Sequence, residues 1–312
     1  MKRFVKILKW TSIVLLLIIA GLLTAVYSRQ NLKFTAPYPD IKASNDSVVI
    51  ARGRHLVYTT AHCINCHSKH NADSLIAAGL EVPLSGGVLF DLELGKIYSK
   101  NITSDNETGI GKYTDGEIAR VLRFGVHPDG RPVYDFMPFH NMTDDDLTAV
   151  ISYLRTQTPV VNKVPNNQLN FMGKAVNAFL VTPVGPEGEP AKSIKQDTSA
   201  EYGRYITLYV AECNGCHTKR DMAGRYIGEP FAGGNDVEGY LTPNLTPDST
   251  ARIFGWTKET FIRRFRAGKQ IPDSPMPWNS FRNMTDEELT AIYNFLRTTK
   301  PVKNLVPLKP KA

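Results

Sequence analysis

Cys63-Ile64-Asn65-Cys66-His67 and Cys213-Asn214-Gly215-Cys216-His217 decide the reading of this chain. Between them they hold all 4 of its cysteines. Two disulfides would suit an exported protein, but would leave His67 and His217 unexplained. A single four-cysteine zinc site would have to join pairs that lie 213 − 63 = 150 residues apart. A thioredoxin-like C-x-x-C belongs in a βαβ pattern, and no such pattern surrounds either motif. C-x-x-C-H is instead the spacing of covalent haem attachment. Two cysteines three positions apart at a helix start can reach both vinyl groups of one haem and form thioethers. The residue that follows lies under the ring, where an imidazole nitrogen can bind iron. Two motifs imply two covalently bound haem c groups.

Working outward, the surroundings of the two motifs repeat. Gly53-Arg54 and Gly203-Arg204 each begin ten residues before the first cysteine of a pair. Gly86-Gly87 is echoed by Gly233-Gly234, and Asn101-Ile102-Thr103 by Asn244-Leu245-Thr246. The run from His140 to Arg155 matches that from Arg282 to Arg297. A fixed order of matches argues for duplication. It divides the chain into a first unit over 46–165, a linker over 166–196 centred on the proline-bearing stretch Gly185 to Lys195, and a second unit over 197–306. The elements read as helices. Thr114 with Glu117, and Thr285 with Glu288, have the spacing of capping boxes, and Thr143 with Asp146 begins the partner of the latter. Ile118, Val121 and Leu122 share one helical face, as do Leu147, Val150, Ile151 and Leu154, and Leu289, Ile292 and Leu296. Gly125 is placed to end its helix in a left-handed conformation, and Thr257 and Gly268 bracket its counterpart. No strand alternation is sustained, so the fold expected is all-α.

Each iron needs a second axial ligand or an open site. His217 is the last histidine of the chain, so a second histidine at its iron would have to be borrowed from the first unit. Met222 is too close to the motif to reach the opposite haem face, and Met284, like its counterpart Met142, reads as packing. Met276 lies in Pro275-Met276-Pro277-Trp278, where prolines on both sides restrict the backbone. The same logic selects Met137 in Phe136-Met137-Pro138-Phe139. His55, His62, His70, His127 and His140 compete with Met137, yet none has a histidine counterpart in the second unit. The axial pairs expected are His67 with Met137 and His217 with Met276, a set that raises the haem potential relative to two histidines.

The formal charge of the chain is +7, and Lys2, Arg3, Lys6 and Lys9 supply four of it, leaving 7 − 4 = +3. That balance does not suggest nucleic acid. Behind the four cations, Trp10 to Tyr27 is apolar apart from Thr11, Ser12, Gly21 and Thr24, and as a helix it spans roughly 27 Å. Residues 1–28 therefore read as a cytoplasmic tip and a transmembrane anchor, with the rest exported. The alternative is a cleaved signal peptide, which shares the basic start and apolar middle. Arg263, Arg264, Arg266 and Lys269 form the densest basic cluster, read either as a docking patch for an acidic redox partner or as an ordinary solvated face.

The order C-x-x-C-H, Gly-Gly, Asn101-Ile-Thr103, Thr108-Gly-Ile-Gly111, Tyr113-Thr114-Asp115, Met137-Pro138 and Met142-Thr143-Asp144, repeated in the second unit, resembles the class I cytochrome c family. It looks most like the cytochrome c subunits of membrane-bound alcohol and gluconate dehydrogenases, the best known of which carry three such units where this chain has two. The resemblance covers Val48 to Val302. It implies two tandem class I cytochrome c domains after an N-terminal transmembrane helix. It also implies that Gly53 and Gly203 let the first helix of each unit cross the last closely, near Tyr153 and Phe295. The function it implies is a relay of electrons on the periplasmic side of the inner membrane, from a membrane-bound or periplasmic dehydrogenase to a cytochrome or terminal oxidase. No catalytic activity of the chain's own is expected. The alternative is a di-haem peroxidase or thiosulfate-oxidising enzyme, whose need for a displaceable ligand the matched Met-Pro loops oppose. Covalent attachment has a direct check. Denatured protein should keep its haem colour on a gel, with two haems per chain by pyridine haemochrome assay, and acid acetone should extract none.

Overall fold

The structure, a computed structural model, describes residues 2–68, 72–78, 80–134, 137–221 and 224–307. Lys2–Arg29 is one long helix, α1, on which Val26 alone is buried. The first unit comprises α2 (Ser47–His55), a π-helical turn over Leu56–Thr60, α3 (Ile64–His67), α4 (Ala72–Ala77), β1 (Leu89–Leu92), β2 (Gly95–Tyr98), α5 (Asp115–Phe124) and α6 (Asp144–Thr156). Then come β3 (Gln168–Leu169) and α7 (Phe171–Phe179). The second unit repeats the plan with α8 (Ala200–Tyr205), a π-helical turn over Ile206–Val210, α9 (Cys213–His217), β4 (Asp236–Val237), β5 (Tyr240–Leu241), α10 (Lys258–Arg266), α11 (Trp278–Phe281) and α12 (Asp286–Leu296).

The helix ends obey local chemistry. Thr114 and Glu117 form a reciprocal capping box at α5, Thr285 and Glu288 form another at α12, and Thr143 caps α6 by accepting from the Asp146 amide. Gly125 ends α5 at φ 60°. Each C-x-x-C-H is approached in the same way. A wide π turn closes with Ala61 N donating to Leu56 O at 2.8 Å, or Ala211 N to Ile206 O at 2.7 Å. The chain then reverses through a left-handed residue, His62 at φ 40° or Glu212 at φ 53°. Non-glycine residues adopt that conformation rarely and at a cost, which tends to be tolerated at functional sites.

In each unit the first and last helices cross at a glycine. A Cβ on Gly53 would lie 1.9 Å from Ala149 O and 2.8 Å from Tyr153 Cβ. One on Gly203 would lie 1.9 Å from Ala291 O and 2.9 Å from Phe295 Cβ. The crossing partners expected from the resemblance are therefore the ones in contact.

The mainly helical structure fits the all-α reading, and two features add to it. Short strands accompany the helices: β1, β2 and β3 form an antiparallel sheet in that order, and β4 pairs with β5. At four residues or fewer, they are too short to show a period-two pattern. The segment 166–196, read as linker, also folds the helix α7.

The two units meet through buried charge. Asp146 and Glu288 occupy equivalent positions in the first turns of α6 and α12 and are 3% and 2% exposed. Arg52 bridges them, donating to Asp146 from Nε at 2.8 Å and to Glu288 Oε1 from Nη1 at 3.3 Å. His55 Nε2 lies 2.8 Å from Glu288 Oε2, while Tyr205, its counterpart in the repeat, donates to Asp146 Oδ2 at 2.8 Å. Thr60 Oγ1 also donates to Glu288. Elsewhere in the interface α11 packs on α4, Ser280 Oγ donates to Asn65 Oδ1 at 2.7 Å, and the His62 ring meets Phe281 edge to face with centroids 5.2 Å apart.

Two outcomes follow from this packing. Gly53→Ala and Gly203→Ala should each destabilise its unit by on the order of 3 kcal/mol or more, read by thermal unfolding, because the added methyl meets backbone. The interface should also respond to acid. Burial would raise the Glu288 carboxyl, but the His55 hydrogen bond and the charges of His55 and Arg52 outweigh it and hold the group down to about 2, against an ordinary 4.5. A group that titrates lower folded than unfolded adds stability that is complete above about pH 4.5 and lost as pH falls through about 2. Small-angle scattering should therefore find the units closed between pH 5 and 8 and separating only in that acid window.

Candidate haem clefts

The two motif histidines sit in equivalent settings. His67 is 9% exposed, and its Nδ1 lies 2.7 Å from Lys100 O. His217 is 7% exposed, and its Nδ1 lies 2.9 Å from Pro243 O. A carbonyl can only accept, so each Nδ1 carries the proton and each Nε2 keeps its lone pair for a metal. Burial pushes both imidazoles below their ordinary range, against the carbonyl hydrogen bond that favours the charged form, so the ligand state is neutral.

The repeated Gly-Gly and Asn-x-Thr motifs build these settings. Gly86 N donates to His67 O, and Gly233 N to His217 O, each at 2.7 Å. Both glycines have positive φ, and a Cβ there would lie 2.4 Å from Lys100 backbone or 2.5 Å from that of Thr242 and Pro243. Only glycine lets this strand run beside the carbonyl that orients the histidine. The carbonyl is held in turn by the next residue. Asn101 Oδ1 accepts from the Thr103 amide and hydroxyl, while its Nδ2 donates to Val160 O at 2.8 Å. Asn244 does the same with Thr246 and Val302. The backbone acceptors Lys100 and Pro243 were not among the residues expected from sequence. Their signal was there, as the residue just before each repeated Asn-x-Thr.

The cysteines are unpaired thiols. Burial pushes Cys63 and Cys213 up to about 12, far from the thiolate range of reactive or metal-bound cysteines. In the second unit Cys213, Cys216 and His217 open on a largely apolar cavity of about 530 Å³, a cofactor-sized volume. Met276 and Phe265 line the same cavity. Pro277 has φ −75° and ψ 56°, and Trp278 N donates to Met276 O at 2.7 Å. This inverse γ-turn presents the Met276 side chain from a rigid loop. In the first unit Phe139 N donates to Met137 O in the same way, and Met137 is half-buried against the core, as is Cys63. Paired thiols, an imidazole with a free Nε2, an apolar cavity and a facing thioether fit haem c.

The competing residues are distributed differently. Met142 and Met284 are 1% and 2% exposed in the core, as packing side chains. His55 belongs to the interface. His140 is buried, with its ring beside Gly125 and its carbonyl accepting from Arg123. His127 is held low, at about 4, mainly by burial. His70 and Met222 lie outside the described residues. His62 is the unexpected one, because this residue of the first unit lines the cavity of the second, one position from Cys63. The basic cluster also divides. Arg264 stacks over Trp278 at 3.6 Å in the cavity wall, and Arg266 pairs with Asp286, so Arg263 and Lys269 are its exposed members.

Each unit is helical and carries a C-x-x-C-H motif whose histidine is buried and oriented by a backbone carbonyl, and the second motif opens on a cavity of cofactor size. Residues 50–158 match the cytochrome c family, and residues 203–296 match the family of cbb3-type cytochrome c oxidase subunit III. The chain thus carries two cytochrome c-type domains, one in each unit. It is 26% identical to the fructose dehydrogenase cytochrome subunit of Gluconobacter japonicus, over 95% of this chain and 60% of that protein. It is 28% identical to the cytochrome c subunit of the quinone alcohol dehydrogenase of Gluconobacter oxydans, over 83% of this chain and 57% of that protein. A diheme cytochrome c-type protein of Cereibacter sphaeroides is 29% identical, over 79% of this chain and 85% of its own length. The chain spans about three-fifths of the length of the two dehydrogenase subunits.

Proposed function

We propose that this protein is a membrane-anchored di-haem cytochrome c of the periplasm. It would pass electrons from a dehydrogenase through both clefts to a cytochrome or terminal oxidase. The observation that carries the relay is His62 in the second cleft. Its neighbour Cys63 is the first attachment cysteine of the other unit, so a single covalent run, from the Cys63 sulfur through one peptide bond to the His62 ring, joins the two clefts. The left-handed backbone of His62 and its contact with Phe281 hold the ring there. Bound haem supplies the one-electron chemistry. The chain supplies attachment through Cys63, Cys66, Cys213 and Cys216, and iron ligation through His67 with Met137 and His217 with Met276.

The dehydrogenase partner is inferred from the named relatives, and the anchor from α1, whose mean hydropathy reaches 2.2. A lone apolar helix near an N-terminus also fits a signal sequence. Its contacts with α7 support its retention in the folded protein.

Met276→Ala should remove the share of the weak long-wavelength sulfur–iron band owed to one haem and lower that haem's potential. His62→Ala should leave the band and the haem content intact but slow electron equilibration between the haems several-fold in flash photolysis. The ligand assignment fails if His62→Ala removes the band and Met276→Ala does not. The relay fails if equilibration is indifferent to His62.

A further inference from the structure

Helix α7 shows its apolar face to the outside. Gly173 and Ala178 are buried, whereas Phe171, Met172 and Phe179 are 51%, 62% and 50% exposed, and Leu180, just after the helix, is 64% exposed. Residues 171, 172 and 179 fall on one arc of a helix with 3.6 residues per turn, with Ala175 between them and Val176 at its edge. In a water-facing surface helix the arrangement is the reverse. The polar Lys174 and Asn177 are on the other side, engaged with α1.

The helix is firmly mounted. Asn170 caps it by accepting from Gly173 N at 2.9 Å, and a Cβ on Gly173 would lie 2.1 Å from Leu94 O in the β1–β2 turn. Leu92, the last residue of β1, adds a further apolar side chain at 39% exposure. The remaining contacts are to the end of α1. Asn177 Nδ2 donates to Gln30 O at 2.6 Å, and Arg29 Nε to Ala178 O at 3.3 Å. The Lys174 ammonium lies 5.2 Å from the Tyr27 ring centroid, and the Arg29 guanidinium 5.5 Å from that of Phe179. Trp10 and Tyr27 stand at the two ends of the apolar stretch, where aromatic side chains mark membrane interfaces. The height of α7 is therefore that of the outer headgroups.

We propose that α7 and the β1–β2 turn lie in the outer leaflet of a lipid bilayer, as an in-plane contact additional to α1. This rests on α1 being a retained anchor. Partial burial in the headgroup–acyl boundary suits a helix with one apolar face and low overall hydrophobicity. Asp91 and Glu93 belong to the β1–β2 hairpin, and Lys174 and Arg29 to the α7–α1 contact, so both signs of charge border the apolar surface and the contact should tolerate salt. Its consequence is orientation, because two contacts fix the tilt of the first domain over the membrane where a single helix would let it swing.

The test uses full-length holoprotein in vesicles of phosphatidylcholine and phosphatidylglycerol. Single cysteines carry an environment-sensitive fluorophore at Met172→Cys on α7, Leu16→Cys on α1 and Ile227→Cys on the second domain. The Met172 label should shift to the blue and be quenched more by lipids spin-labelled near the headgroup than by those labelled deep in the chain, in low and high salt alike. The Leu16 label should favour the deep quencher, and the Ile227 label should respond to neither. If Leu16 is quenched and Met172 behaves like Ile227, the anchor stands and this inference falls. A blue-shifted but unquenched Met172 label would mean that protein covers the face, which also overturns it. An unquenched Leu16 label would remove the anchor itself.

Discussion

Arg52 lies between two carboxylates that belong to different domains, and the relative placement of the clefts depends on it. Asp146 and Glu288 each gain from the first-turn position in α6 and α12, where the helix dipole favours negative charge. Brought together out of water with no cation, they would repel. One guanidinium reaches both, and His55, Tyr202, Tyr205 and Thr60 satisfy further oxygen and nitrogen positions around it. Removing one member of such a buried set leaves an uncompensated charge, which typically costs 3–5 kcal/mol. The interface is therefore specific in register, and that register seats His62 against Phe281 at the second cleft.

Duplication has kept the framework and divided the labour at the contact. The glycine crossings, the π turns, the histidine–carbonyl bonds and the Asn-x-Thr clamps recur atom for atom. The residues facing across the interface do not. Arg52 and His55 in the first unit stand opposite Tyr202 and Tyr205 in the second, and His62 corresponds to Glu212. Two identical copies would have offered either two cations or none to the paired acids. The divergence supplies donors in a number that matches the acceptors, and it makes the contact directional, with a first-unit side chain entering the second cleft.

Each cleft is also prepared before iron is bound. The carbonyls of Lys100 and Pro243 select the imidazole tautomer, and the Asn101 and Asn244 side chains anchor those carbonyls to the segment after the last helix of each unit. The histidine is thus positioned by groups close in space and drawn from three separate stretches of chain. Because the ring is held on one nitrogen, the ligand loses little freedom when the other binds metal.

The sequence by itself determined what depends on near neighbours. The proposed haem attachment rests on two motifs of five consecutive residues each. Helix starts at Thr114, Thr143 and Thr285 need only the residue three positions on, and the close crossings at Gly53 and Gly203 were readable because a family pattern marks them. The repeat was visible because order along the chain survives divergence. The tertiary structure decided whatever joins residues far apart in number without any period. The Arg52 bridge spans the chain to Glu288, His62 crosses from one domain to the cleft of the other, and the outward apolar face of α7 becomes meaningful only once Tyr27 and Arg29 are beside it. Local spacing encodes local bonds, and it cannot say which surface a folded unit will meet, since that depends on the summed shape and charge of both.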